Sequence, residues 1–174
     1  IGYNLPFMVE LSREFPQYQF VVAGVSWLDK SVYAPYLAGS DVRWVRDLIY
    51  ELLAVSEAAV VTSGTATLET ALIGTPEMVC YRRDLPSMLI GKMFLKIPYV
   101  SLVNLVLERE SVRELLQFQM NMKNATAELT AILPGGSKRD NMLADYAELR
   151  EKMGTAGASQ RVGARMVEEL RKTK

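Results

Sequence analysis

Histidine is absent from this 174-residue sequence, and cysteine occurs once, at Cys80. Without histidine, no Ser-His-Asp triad, Cys-His pair or imidazole metal ligand can be assembled within the chain. A single cysteine excludes an internal disulfide and every CxxC redox or zinc motif. Set in the apolar run Met78–Tyr81, it reads as a buried strand thiol rather than a nucleophile. Net charge is missing as well: 20 Lys and Arg balance 20 Asp and Glu, so charge gives no reason to expect nucleic acid. The balance is uneven, with 6 basic and 10 acidic residues in Ile1–Pro86 against 14 and 10 in Ser87–Lys174. The second half is drawn to anionic surfaces on one reading and carries an ordinary solvated helical face on the other. Low-complexity tracts and apolar runs of membrane-spanning length are also lacking. A packed, cytoplasmic domain is therefore expected. Neither GxxxxGK[ST] nor GxGxxG occurs, which disfavours P-loop and dinucleotide sites. The opening Ile1-Gly2-Tyr3-Asn4 has no initiator methionine and enters a helix almost at once, as expected of a piece of a longer protein.

What is present alternates. Asn4-Leu5-Pro6 has the capping side chain and early proline of a helix start, followed by Phe7, Met8, Leu11 and Phe15 at helical spacing and a stop at Pro16. Gln19–Gly24, Val42–Val45, Ala58–Thr62 and Met78–Tyr81 read as short, nearly continuous apolar strands. Between them fall a short helix over Ser31–Leu37, a helix that Asp47 would cap, and a helix over Thr65–Ile73 closed by Gly74-Thr75-Pro76. Such alternation predicts βαβ units and an α/β, Rossmann-like parallel sheet. Farther on, helices are predicted over Ser87–Leu95, Ser111–Gln119 and Lys123–Leu133, with an extended segment at Val100–Leu105. Two amphipathic helices, Lys138–Met153 and Ser159–Lys172, form a helical C-terminal tail, with Leu143, Tyr146, Ala147 and Leu149 on the inner face of the first. The expected division is residues 1–133 as the Rossmann-like unit. Residues 134–174 would then pack on that unit or on a further domain.

The stretch Val61-Thr-Ser-Gly-Thr-Ala-Thr-Leu-Glu69 concentrates the chemistry. It places a polar turn at the carboxyl end of a strand and the amino end of a helix, where exposed amides and the helix dipole favour an anion. Gly64 lets a ligand approach the backbone, and Ser63, Thr65 and Thr67 carry hydroxyls beside unpaired amides. A diphosphate fits such a turn, and Glu69, one helical turn past Thr65, suits a ribose diol. The plainer alternative is a capped helix with a solvated acid. Arg82, at the end of the fourth strand, is a further ligand candidate on the same edge. Trp44 either stacks on a base or is a half-buried strand residue.

The chain resembles the carboxyl-terminal half of the lipid-A-disaccharide synthase family. The likeness is carried by Val61–Glu69, Gly74-Thr-Pro76 and Val79-Cys-Tyr-Arg82, then in order by Tyr99-Val-Ser-Leu-Val-Asn-Leu105, Arg109-Glu110 and Glu114-Leu-Leu-Gln117. Val103 stands where the family has proline, and Glu108 where it usually has glycine. The resemblance implies one half of an inverting GT-B glycosyltransferase. It implies UDP-2,3-diacylglucosamine as donor and 2,3-diacylglucosamine 1-phosphate as acceptor, with lipid A disaccharide and UDP as products. On that implication Ser63, Gly64, Thr65, Ala66, Thr67, Glu69 and Arg82 bind the UDP donor, while Asn104, Arg109, Glu110 and Gln117 line the cleft. No catalytic residue is assigned to this chain, because the acid/base is implied to lie in the amino-terminal domain; no metal or cofactor is called for. Arg109 and Arg113, with Glu110 and Glu114, could equally form a surface ion-pair ladder, and Asn104 could brace a turn. Leu85–Pro98 reads as a basic amphipathic helix, lying either on the inner membrane's cytoplasmic face or against the core. Self-association stays open. The alternatives are another GT-B nucleotide-sugar enzyme, such as a UDP-GlcNAc epimerase or glycan transferase, and a noncatalytic nucleotide- or partner-binding α/β module.

Overall fold

The computed structural model describes residues 1–62, 64–82 and 98–154, with 163, 165, 166, 168, 171 and 172 beyond them. The helix expected over Ser87–Leu95 and all but single positions of the one over Ser159–Lys172 lie outside those residues, as does Ser63.

Helix α1 (Leu5–Ser12) carries Pro6 in its first turn, where a missing N–H costs nothing, and buries Leu5, Val9 and Leu11. Asn4 does not cap it. Its side-chain oxygen instead accepts the backbone N–H of Arg82 at 2.8 Å, which ties the helix start to the end of a distant strand. Strands β1 (Val21–Gly24) and β2 (Arg43–Arg46) pair in parallel, with Val22 opposite Trp44. Between them a 3-10 turn, Lys30–Val32, capped by Asp29, leads into α2 (Ala34–Leu37). Trp44 packs into a small core with Tyr33, Leu5 and Val9; the Tyr33 ring lies 6.0 Å away and Lys30 Nζ 5.7 Å from the indole centroid. A Cβ on Gly24 would collide with that indole, so glycine is required there by space. Trp44 thus serves as a strand core residue. Asp47 also departs from expectation: it sits at φ 55 just past β2 with its N–H on Gly24, and α3 (Ile49–Val55) starts from Leu48 without a side-chain cap.

Strand β3 (Ala59–Val61), helix α4 (Thr65–Ile73) and strand β4 (Glu77–Tyr81) form the predicted βαβ unit. Gly74 ends α4 in the left-handed conformation, as a helix-stop glycine does. β4 is the middle strand: it pairs in parallel with β3 and with β5 (Glu114–Leu116), making a second, three-stranded sheet. A strand flanked on both sides and covered on both faces reads as a continuous apolar run, and Met78, Val79 and Cys80 are all fully buried. Burial pushes the Cys80 thiol up to about 12, so it stays protonated and inert.

Two predicted elements exchange character. Val100–Leu105, expected extended, starts helix α5 (Leu102–Leu107), capped by Ser101, whose Oγ accepts the Asn104 N–H at 3.2 Å. Val103 falls in its first turn, a position that proline tolerates. Ser111–Gln119, expected helical, supplies β5 and a 3-10 turn, Gln117–Gln119. Glu-Leu-Leu favours helix locally, but pairing with Val79, Cys80 and Tyr81 and full burial of Leu115 override it.

Helix α6 (Met122–Ile132) follows, capped by Asn121, and then α7 (Arg139–Met153). Met142, Tyr146 and Leu149, at i, i+4 and i+7, are the inner face of α7; Ala147, expected there, is exposed. Through them α7 joins the main core shared by β4, α4, α5 and α6.

Candidate functional site

Because β3, β4 and β5 are parallel, their carboxyl ends share one edge of the sheet, and ligands in open α/β sheets bind off that edge. Val61 lies opposite Val79, and Tyr81 opposite Leu116, so the chain leaves the edge at Gly64–Thr67, Arg82 and Gln117 together. Gly64 adopts φ 83, ψ −152, a region essentially restricted to glycine. Nothing lies within 4 Å of where its Cβ would stand, so the backbone angles, not crowding, demand glycine here. α4 begins without a side-chain cap, which leaves first-turn amides for a ligand at the positive end of the helix dipole.

The predicted donor residues fall into distinct environments. Thr65 is exposed, and Ala66 and Glu69 are half-buried. Among the described residues Glu69 has no hydrogen-bond or ion-pair partner. Thr67 is fully buried; its hydroxyl donates to the Gly64 carbonyl at 2.8 Å and accepts the Leu102 N–H at 3.3 Å. That hydroxyl braces the turn from inside. Arg82 is exposed, with one guanidinium nitrogen donating to the Met120 carbonyl at 2.6 Å, its one side-chain hydrogen bond among the described residues. Gln117 is half-buried at φ 51, turning the chain sharply at the end of β5.

The other cleft candidates are not brought to this edge. Asn104 is fully buried, and its amide nitrogen donates to the Val112 carbonyl (2.7 Å) and the Glu114 carboxylate (3.0 Å). Its oxygen accepts the Ser111 and Val112 amides at 2.8 and 2.9 Å, so the carboxamide is saturated within the protein. Arg109 and Glu110 precede β5, toward the sheet's opposite edge. Arg109 bridges to Asp145 (2.5 Å) and Glu148 (2.6 Å) on α7, while Glu110 pairs with Arg113 at 2.9 Å. Hydrogen bonds from Arg109 and then Lys152 hold the Glu148 carboxyl down at about 2, and the same carboxylates push the Arg109 guanidinium up. A groove of about 290 Å3, lined by Leu53, Glu57, Thr75 and Arg139, also opens at the opposite edge and is unrelated to the candidate site.

Glu114, read from the sequence only as part of the Glu114–Gln117 segment and of a surface ion-pair ladder, takes a different role in the fold. Glu114 accepts the N–H groups of Val100 and Ser101 and the Asn104 amide, partners ten or more residues away that only the tertiary fold assembles. Among the described residues no three His, Cys, Asp or Glu side chains are grouped to hold a metal ion.

A family model described as lipid-A-disaccharide synthetase matches residues 7–165, a span containing every residue of this edge. The chain belongs to the lipid-A-disaccharide synthetase family. It is 35% identical over 176 residues to a lipid-A-disaccharide synthase of Syntrophus aciditrophicus, covering 97% of this chain and 46% of that protein. It is 37% identical over 172 residues to one of Myxococcus xanthus, covering 95% and 45%. It is 32% identical over 165 residues to one of Geobacter sulfurreducens, covering 94% and 43%. The chain therefore spans less than half the length of these synthases. No helix among the described residues of this family member is long and apolar enough to cross a membrane.

Proposed function

We propose that the protein carrying this chain transfers 2,3-diacylglucosamine from UDP-2,3-diacylglucosamine to 2,3-diacylglucosamine 1-phosphate, giving lipid A disaccharide and UDP. This chain would be the donor-binding half of a GT-B transferase. The observation that carries the reading is the uncapped amino end of α4, opened by Gly64 at the carboxyl edge of three parallel strands, with Arg82 beside it. As the glycosidic bond breaks, the leaving UDP diphosphate gains negative charge. Amides at Gly64–Ala66, the hydroxyls of Ser63 and Thr65, and the Arg82 guanidinium would stabilise it. Glu69, half-buried and without a partner among the described residues, would accept the ribose hydroxyls. Gln117 lies on the same edge, whereas Thr67 and Asn104 support it from within. On this reading residues 1–133 form the donor unit and residues 134–174 a tail that packs on it or on a further domain; the packing of α7 on α4, α5 and α6 supports the first for that helix. On this reading the acyl chains of both substrates would bring the reaction to a membrane surface, the cytoplasmic face of the inner membrane.

The test is calorimetric titration of the intact protein with UDP and ADP, repeated on Glu69→Ala. UDP binding that exceeds ADP binding and weakens about tenfold or more, ~1.4 kcal/mol, in the variant supports the reading. Equal binding of both nucleotides, untouched by the substitution, refutes the role of Glu69. Turnover with donors or acceptors that lack acyl chains would point to another nucleotide-sugar enzyme.

A further inference from the structure

Segment 100–104 is held from one side and holds on the other. On the first side stands Glu114, at the start of β5. Both of its carboxylate oxygens accept the Val100 N–H, at 3.1 and 2.9 Å, and Oε1 also accepts the Ser101 N–H at 2.8 Å and the Asn104 amide at 3.0 Å. On the other side the same segment meets the turn that opens α4. Ser101 pairs with Gly64 as an isolated parallel bridge, and the Leu102 N–H donates to Thr67 Oγ1, which in turn donates to the Gly64 carbonyl. The turn that would cradle the diphosphate thus has a lateral support, and that support has a charged anchor.

We propose that Glu114 is a positioning residue for the donor phosphates. It fixes Val100–Asn104 so that Ser101 and Leu102 keep Gly64 and Thr67 in the geometry that presents the α4 amides. The proposal rests on the reading of the Gly64–Ala66 amides as the diphosphate site. A carboxylate suits the task because hydrogen bonds to an ionised acceptor are about twice as strong as neutral ones, and one group here gathers three donors. Losing it leaves the fully buried Ser101 with an unpaired amide. Val100, 40% exposed, can turn to water instead. The segment therefore shifts rather than unfolds, and shifts of about 1 Å at a reacting group are enough to change function severely.

The experiment compares the intact wild-type protein with Glu114→Gln and Glu114→Ala. Affinities for UDP and for uridine are measured by calorimetry, backbone amide exchange is followed at 64–68 and 100–104, and the thermal midpoint is recorded for each. Glu114→Ala is expected to weaken UDP at least tenfold while leaving uridine within about twofold, so UDP loses its advantage over the phosphate-free nucleoside. Exchange should quicken at 64–68 as well as at 100–104, with unfolding still cooperative. Glu114→Gln, which keeps one carbonyl acceptor for Ser101, should recover part of both effects. Unchanged UDP affinity in both variants, equal losses for UDP and uridine, or faster exchange confined to 100–104 would each overturn the proposal. A wild-type protein that does not bind UDP overturns the donor-site reading itself, and this role with it.

Discussion

Glu77 opens β4 with its side chain fully buried, and neither carboxylate oxygen has a hydrogen-bond partner. Its own N–H points at the sulfur of Met142, 3.4 Å away, and the buried Tyr146 hydroxyl lies beside the Glu77 backbone, in the electrostatic surroundings of the same carboxyl. Desolvation pushes the Glu77 carboxyl well above the ordinary carboxylate range. The folded state therefore keeps a proton that the unfolded chain gives up near pH 4.5. The stability linked to Glu77 is complete below that free value and is lost as pH rises toward the raised one. One proton sets the slope, about 1.4 kcal/mol per pH unit within the window. Glu77→Gln keeps the shape and removes the ionisation. Its buried amide brings its own unsatisfied-donor cost, but that cost does not vary with pH. The slope, not the level, is therefore the diagnostic. Urea unfolding of both proteins between pH 5 and 8, below the range in which tyrosine titrates, should show wild-type stability falling relative to the variant with rising pH. Parallel pH profiles would refute the argument, because they would mean that the carboxyl ionises inside the fold as easily as outside it.

Glu108 ends α5 at φ 58, ψ 24, the left-handed region that an L side chain enters at about 1 kcal/mol. Glu108→Gly should leave stability unchanged or raise it by up to about 1 kcal/mol in denaturant unfolding, while Glu108→Val should lower it. Arg109→Ala should release the Glu148 carboxyl from about 2 toward the ordinary range, leaving only the Lys152 contact to lower it. A side-chain carboxyl NMR titration would read that change. Because the folded value is depressed, the linked stability is present above the free value and disappears as pH falls toward 2; the variant should lose less on acidification.

Legibility in the sequence followed the range of the forces involved. β3, α4, Gly74 and β4 were readable because each is specified by its own residues: small β-branched runs, a helix-stop glycine, and three consecutive side chains that all go inside. β5 was not readable, because Glu114-Leu115-Leu116 becomes a strand only when β4 is alongside. α5 hid behind its β-branched residues, although Ser101 three positions before Asn104 was a usable capping signal. At the candidate site, the strand–turn–helix position of Gly64–Glu69 was local information. The interior roles of Thr67, Asn104 and Glu114 were not, since each depends on backbone atoms that arrive from elsewhere in the fold.

Gly24 on β1 and Trp44 on β2, two register positions apart with the indole lying over the glycine, have a consequence for how this sequence can change. The indole occupies the space that any larger residue at position 24 would need. The two positions therefore share a single allotment of volume and cannot drift separately. Gain of a methyl group at 24 is viable only beside a smaller ring or an aliphatic chain at 44, which would in turn loosen Tyr33 and the Lys30 contact over the indole. Among homologous chains this predicts covariation: glycine with tryptophan, or alanine with something smaller, with the mixed combinations rare.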